Sequence, residues 1–353
     1  IKEPQINFIS VQVWGRLVIE PSWIKVPLPA SVKFDFQSPP QVYDGNTLYD
    51  PTANFGENTR GIFSSGATIV DTEIKLPPGA CKQYVVRTSI PYNLPPSFKG
   101  TGLKYQYYLT VNAEHCAPVK PGQSNTTNKT LHIPLRILNP SLALSEEQRP
   151  SSPSPSRQAN LTSSQLISEH DMSNAMRMIQ TLCEDKSYPL SMNINIAQVH
   201  LLKLSLNKAV YQLGDPVRGI FDFTDAEKRT YQVSVRLEME EQIEPSLMNP
   251  IRGKKPVYKI IAEHHELTHN TRQAHFDFHI PIDMPPEFVT SLVSVRWVLR
   301  FEFIVGANKL DKASNHRQWE TKHEALSWVY PLRVLVPERP PEQIYKSPNQ
   351  ISF

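Results

Sequence analysis

The chain has 353 residues, a net charge of +3 and 39% hydrophobic residues, enough for about two domain cores. So mild a positive balance argues against the concentrated basic face that nucleic-acid binding uses, and no apolar run approaches the roughly 18 residues of a membrane-spanning helix. Thirty-two prolines against thirteen glycines, set among alternating segments, point to β-structure with proline-marked corners.

The first expected strand is Ile6 to Ile19. Before it the chain starts at Ile1, with neither methionine nor signal peptide, and the N-terminus is read as incomplete. A proline-rich corner follows at Ile90-Pro91-Tyr92-Asn93-Leu94-Pro95-Pro96-Ser97-Phe98. Leu103 to Val111 then alternates with Lys104, Gln106, Tyr108 and Thr110, which predicts a half-buried strand. Ile133 to Leu138 closes this first part, with Pro134 near the strand start, where a ladder donor is not needed.

A linker is expected over 141–190. Pro150-Ser151-Ser152-Pro153-Ser154-Pro155-Ser156 is low in complexity. Ser163 to Cys183 has a helical rhythm, with Ser168 as cap and Met172, Ala175, Met176, Ile179 and Leu182 at spacings of three or four. Such a helix either packs its own apolar face as a connector or docks a partner through Met172, Met176 and Ile179.

Beyond the linker, Val210 to Phe223 reads as two short strands around a Gly214-Asp215-Pro216 turn. Tyr231 to Ile243 matches the strand Ile6 to Ile19, so the first part lacks this opening hairpin. A basic loop, Arg252-Gly253-Lys254-Lys255, precedes strand-like segments at 257–261 and 276–280. The corner returns as Ile280-Pro281-Ile282-Asp283-Met284-Pro285-Pro286-Glu287-Phe288. The strongest strand, Val293 to Val305, alternates seven apolar positions with Ser294, Arg296, Val298, Arg300, Glu302 and Ile304. Leu332 to Val336 closes the second part.

The two corners lie 281 − 91 = 190 residues apart without a gap. Tyr105, Tyr107, Leu109 and Val111 face Val295, Trp297, Leu299 and Phe301 at the same offset. Pro134-Leu135-Arg136-Ile137-Leu138 echoes Pro331-Leu332-Arg333-Val334-Leu335. A self-match at this spacing means a duplicated domain, with Tyr107 and Trp297 as equivalent core anchors. The expected plan is a sandwich over 1–140, the linker over 141–190, a second sandwich over 191–340 and a tail over 341–353.

One catalytic motif matches by letter: His265-Glu266-Leu267-Thr268-His269 is H-E-x-x-H. Zinc proteases place it on a helix, whereas the flanking residues here are strand-like. Two such histidines in a strand stand roughly 13 Å apart, too far to share one zinc. No other catalytic set, metal site or cofactor motif emerges. His115 and Cys116 are adjacent and point apart in a strand. Cys81, Cys116 and Cys183, an odd and sparse set, read as reduced thiols in the cytosol, where the sequons at Asn125, Asn128 and Asn160 carry no meaning. The basic loop, with Arg252, Lys254 and Lys255, reads either as solvated charge or as a contact for an anionic membrane or an acidic partner.

The doubled Pro-Pro-x-Phe corner followed by an aromatic strand resembles arrestin-like domains, as does Tyr211-x-Leu213-Gly214-Asp215-x-Val217-x-Gly219. More closely, three stretches are similar to the Rgp family, the smaller subunit of the Ric–Rgp exchange-factor complex. They are Pro95-Pro96-Ser97-Phe98-Lys99-Gly100 with the following strand, Val295-x-Trp297-x-Leu299-x-Phe301-Glu302-Phe303, and Ser327-Trp328-x-x-Pro331-Leu332. The resemblance runs from Ile6 to Pro337 and weakens over Phe34 to Ser65 and in the linker. It implies an all-β chain of two arrestin-like, immunoglobulin-like sandwiches in tandem. It also implies obligate pairing with a larger Ric-type subunit and exchange on a Golgi Rab GTPase, in endosome-to-Golgi and intra-Golgi traffic. The site would be cytosolic, peripheral to the Golgi membrane, with no catalytic residues and no cofactor in this chain. The competing reading is an arrestin-type cargo adaptor without exchange activity. Such adaptors often carry Pro-Pro-x-Tyr, and none of the Pro-Pro pairs here, such as Pro39-Pro40-Gln41-Val42, ends in tyrosine.

Overall fold

A computed structural model of the chain describes residues 5–26, 28, 56–77, 79–91, 94–116, 126–138, 189–196, 198–252, 255–269, 271–309 and 322–337. These residues are essentially all-β, with one short 3-10 turn at Pro250–Arg252. The expected helix over 163–183, with Met172, Met176 and Ile179, lies outside them. The chain divides into two compact units. One comprises Ile1–Leu142, Glu241–Pro256 and Thr290–Ser294; the other comprises Ala143–Glu240, Val257–Val289 and Val295–Phe353.

The first unit holds β1 (Gln5–Ile19), β2 (Thr59–Ser64), β3 (Thr68–Lys75), β4 (Phe98–Lys99), β5 (Leu103–Cys116) and β6 (Thr126–Leu135). They form one six-stranded sheet. β1 and β5 run antiparallel along their whole length, Ile19 opposite Leu103 and Gln5 opposite Cys116. β2 and β3 share the far side of β1, and β4 and β6 share the far side of β5. Period-2 alternation buries Leu17, Tyr105 and Tyr107 on one face. Gly15 has no Cβ because the Tyr107 ring lies against it from the neighbouring strand.

The second unit holds β7 (Leu190–Ile196), β8 (Val199–Leu206), β9 (Val210–Gln212), β10 (Pro216–Asp222), β11 (Lys228–Ile243) up to Glu240, β12 (Val257–Leu267), β13 (Gln273–His279), β14 (Phe288–Val289), β15 (Val293–Lys309) from Val295 on and β16 (His323–Leu335). One sheet runs β13-β10-β8-β7; the other runs β12-β11-β15-β16-β9, with β14 on β15. Phe221 and Phe276 of the first sheet meet Phe301 of the second at ring-centroid distances of 5.9 and 6.2 Å, so the two sheets face each other across a core. The alternate positions of β15 from Val293 to Val305 are all buried. Gly214, at φ +93°, makes the turn between β9 and β10, and the Gln212 amide donates to the Asp215 carboxylate at 2.9 Å.

The duplication reaches the hydrogen bonds. The Tyr107 hydroxyl donates to the Pro95 carbonyl at 2.6 Å, and the Trp297 indole N–H donates to the Pro285 carbonyl at 3.1 Å. The amide of Ser97 donates to Ile137 and that of Glu287 to Val334, at 2.8 and 2.9 Å. Gly100 to Leu103 and Thr290 to Val293 repeat the turn after each corner, at 2.9 and 2.8 Å. The equivalence of Pro95 with Pro285 is therefore structural. A further echo went unread in the sequence: Glu20-Pro21-Ser22 after β1 and Glu244-Pro245-Ser246 after β11 form matching turns, each closed by an amide-to-glutamate-carbonyl bond of 2.9 Å.

The closing strands differ from expectation. β6 runs from Thr126 and stops at Leu135, because the backbone of Ile137 is taken by Ser97 of the corner. β16 starts at His323, which puts Pro331 well inside the strand, opposite Val298. On its other side β16 is engaged by β9 only at Arg333–Leu335, so the missing donor of Pro331 falls where no partner strand needs it.

Candidate partner-binding surfaces

His265 lies in β12 and His269 beyond its end, so the H-E-x-x-H letters sit in a strand and the connection after it. The His265 ring is bonded through Nδ1 to the Ser234 hydroxyl at 2.8 Å and sits 3.1 Å from Glu263. Among the described residues no group of three or more His, Cys, Asp or Glu side chains is placed to hold a metal ion. The strand context removes the helical geometry on which the zinc reading depends. His115, next to Cys116, meets the Thr127 hydroxyl at 3.2 Å.

The 3-10 turn that opens the basic loop belongs to the first unit. Ile251, in the 3-10 turn, is 90% exposed, and Lys255 is exposed as well. The turn is pinned by Asn249. Its side chain accepts from the Ile251 amide at 3.2 Å and donates to the Pro21 carbonyl at 3.3 Å. Arg252 is described in its backbone only, and Lys254 lies outside the described residues. The exposure of Ile251 was not read from the sequence, where it looks like any loop residue.

On the outer face of the second unit, charges alternate across β12, β11 and β15. Arg236 bridges Glu263 and Glu302, and its guanidinium holds the Glu263 carboxyl below the usual range. Arg300 pairs with buried Glu238 at 2.9 Å and covers the Tyr258 ring, 4.7 Å from its centroid. Burial pushes the Glu240 carboxyl up, against the pull of Arg296 and Arg300. β12 ends its sheet, and Tyr258, Ile260 and Leu267 stand exposed along it.

The most unusual surface of the first unit is Cys81–Ile90. Every residue in it is exposed, and none belongs to a strand. Its start is tied down: the Lys82 ammonium and the Tyr84 hydroxyl both donate to one Asp71 carboxylate oxygen, at 2.8 and 2.6 Å. Those two bonds, Lys82 first, hold the Asp71 carboxyl at about 2. Just past its end Leu94 is fully buried. Tyr84, Val85, Val86 and Ile90 are exposed between these anchors.

The distinctive surfaces among the described residues are strand edges and loops, the places where a rigid β-scaffold commonly carries binding contacts. The Rgp1 family model matches residues 37–152 and 138–306, and the chain belongs to that family. It is similar to the Homo sapiens protein named RAB6A-GEF complex partner protein 2, at 27% identity over 364 residues, covering 98% of this chain and 88% of the relative. The Bos taurus protein of the same name is 28% identical over 308 residues, covering 85% of this chain and 73% of the relative.

Proposed function

We propose that this chain is a non-catalytic scaffold subunit of a Rab guanine-nucleotide exchange complex and acts with a larger Ric-type subunit. Its two units are arrestin-like sandwiches, and its target is a Golgi Rab GTPase of the RAB6A kind, in endosome-to-Golgi and intra-Golgi retrograde traffic. The observation that carries this reading is the similarity, over 98% of the chain, to a protein named as a partner in such a complex. Exchange demands no nucleophile or metal. A surface need only bind the nucleotide-free GTPase more tightly than the loaded one. A tenfold rate gain requires about 1.4 kcal/mol of that differential binding. Loops on a rigid β-scaffold supply contacts on that scale.

The test is release of a fluorescent nucleotide from the Rab, with each subunit alone and then together. Neither this chain alone nor the larger subunit alone accelerates release fully, and the pair does. Full activity from the larger subunit by itself, or activity from this chain alone, overturns the reading. The exposure of both Ile251 and Lys255 in this basic stretch supports a peripheral, cytosolic contact with the anionic Golgi surface. Sedimentation with phosphatidylserine vesicles, lost on Ile251→Asp and weakened by salt, checks this contact.

A further inference from the structure

One side chain holds the turn that carries Ile251. The Asn249 carboxamide accepts from the Ile251 amide at 3.2 Å and donates from Nδ2 to the Pro21 carbonyl at 3.3 Å. The Asn249 backbone amide donates to the Trp23 carbonyl at 2.8 Å, and the Lys25 amide donates to the Leu247 carbonyl at 2.9 Å. Between these two bonds Ile24 and Met248 form an antiparallel bridge, and both are buried. The segments that meet are repeat-equivalent. Their turns start at Glu20 and Glu244, an offset of 244 − 20 = 224, and 24 + 224 = 248. All of these residues belong to the first unit. By the same offset Asn249 is the counterpart of Lys25, since 249 − 224 = 25. One copy puts an exposed lysine at this position; the other puts a side chain that both accepts and donates.

Ile251 is 90% exposed, more than any other large hydrophobic residue among the described ones. A single surface isoleucine needs no explanation by itself. Here, however, its backbone is tied through Asn249 to a buried bridge. Holding an apolar side chain out in water gives up conformational freedom for no contact, and gains only when an apolar medium receives it. The run Arg252-Gly253-Lys254-Lys255 follows directly in the chain. Apolar burial and attraction of cations to anionic lipid add in interfacial binding. We propose that Asn249 is the positioning residue of a bilayer contact, presenting Ile251 for shallow insertion into an anionic membrane. The proposal rests on the peripheral contact put forward above and deepens it: the apolar part of the contact depends on Asn249, and the cationic part does not. The occupant is a bilayer rather than a soluble anion, because a free phosphate offers nothing to Ile251.

The experiment is sedimentation of the full chain with phosphatidylcholine vesicles containing phosphatidylserine, at several salt concentrations, as a double-mutant cycle over Asn249→Ala and Ile251→Ser. Both positions lie outside the strands, so each variant keeps the wild-type circular dichroism. Ile251→Ser lowers partitioning by about tenfold. Asn249→Ala lowers it by about fivefold, the equivalent of one net hydrogen bond, and adds nothing in the Ile251→Ser background. Neither changes the salt slope, whereas Lys255→Gln lowers the slope. Asn249→Ser, whose hydroxyl makes the same kind of local bond more weakly, recovers part of the loss. An equal loss on Asn249→Ala in both backgrounds means that Asn249 acts through the fold at large, and it overturns the proposal. Unchanged partitioning of Asn249→Ala overturns it as well. A wild-type chain that does not sediment refutes the bilayer contact and the proposal together, and leaves standing the scaffold reading, which nucleotide release tests.

Discussion

Tyr107→Phe deletes one oxygen from the first unit and leaves the ring in place. The hydroxyl is buried and donates to the Pro95 carbonyl at 2.6 Å. Phenylalanine fills the same space, so no cavity term arises, and the loss is that of the hydrogen bond. A net bond contributes about 1 kcal/mol, and a buried carbonyl left without its donor costs about 1–3 kcal/mol. The expected destabilisation is therefore about 1–3 kcal/mol. Burial pushes the phenol well above its ordinary range, so the donor stays protonated and the loss is the same from about pH 5 to pH 9. Urea unfolding at several pH values measures it, with the m-value checked for constancy because a chain of two units need not unfold in one step. A loss below about 0.5 kcal/mol, or one that varies across that range, refutes the claim that this bond fixes the corner.

Trp297→Ala empties the equivalent site in the second unit and costs ~3–5 kcal/mol in the same assay; a loss below about 1 kcal/mol means the ring is not the anchor. Glu241 accepts from the amides of Thr101 and Gly102 at 2.7 and 3.0 Å, and Glu241→Ala strands both donors, at about 1–3 kcal/mol for each that water cannot reach. Burial raises the Glu240 carboxyl in the folded chain, so its charge opposes folding above the raised value, and the penalty vanishes below the unfolded value. Glu240→Gln accordingly raises the urea midpoint at about pH 7 and not at about pH 3; equal midpoints at both mean that Arg296 and Arg300 offset the burial. The Asp71 carboxyl is depressed, so its hold on Lys82 and Tyr84 is complete above the ordinary 3.8 and released as pH falls through about 2. Asp71→Asn reproduces that release at neutral pH, seen as faster tryptic cleavage after Lys82; an unchanged rate means the tether does not order the segment.

Where one period governs a long stretch, the fold was legible. The alternation in Val293–Val305 assigned a buried face that the structure reproduces at every apolar position, because a wrong face would put all seven in water. The corners were legible because their prolines and aromatics are tied by one hydrogen bond apiece, which fixes both residue type and spacing. β2, β3, β7 and β8 were not read. They are six to eight residues long, and over so few residues a period is weak evidence; β7 alternates strictly from Leu190 to Ile196 and was still passed over. The candidate surfaces were least legible. Exposure of Ile251 or Val86 is set by what packs nearby, and neither residue differs in type from a core residue. Of the residues singled out as contacts, Lys255 is exposed in the basic loop, Arg252 is placed in its backbone alone, and Met172, Met176, Ile179 and Lys254 lie outside the described residues.

The comparison of the two copies nonetheless carries a signal that neither copy carries alone. Duplicated domains must both satisfy the same backbone, and here they do so with matching bonds at the corners and at the turns after β1 and β11. Positions that answer only to that shared scaffold keep the same chemistry, as Pro95 and Pro285 do. Residues 84, 86 and 87 keep the register and exchange the chemistry: large for small, small for large, and cation for anion. An edge left to face water is normally blunted with charges or proline, because exposed apolar backbone invites aggregation. Tyr84, Val85, Val86 and Ile90 do the opposite on a segment anchored beside both ends. In β13 positions 274 and 276 lie on the buried face and 277 on the exposed one, so size inverts on one face of the register and charge on the other.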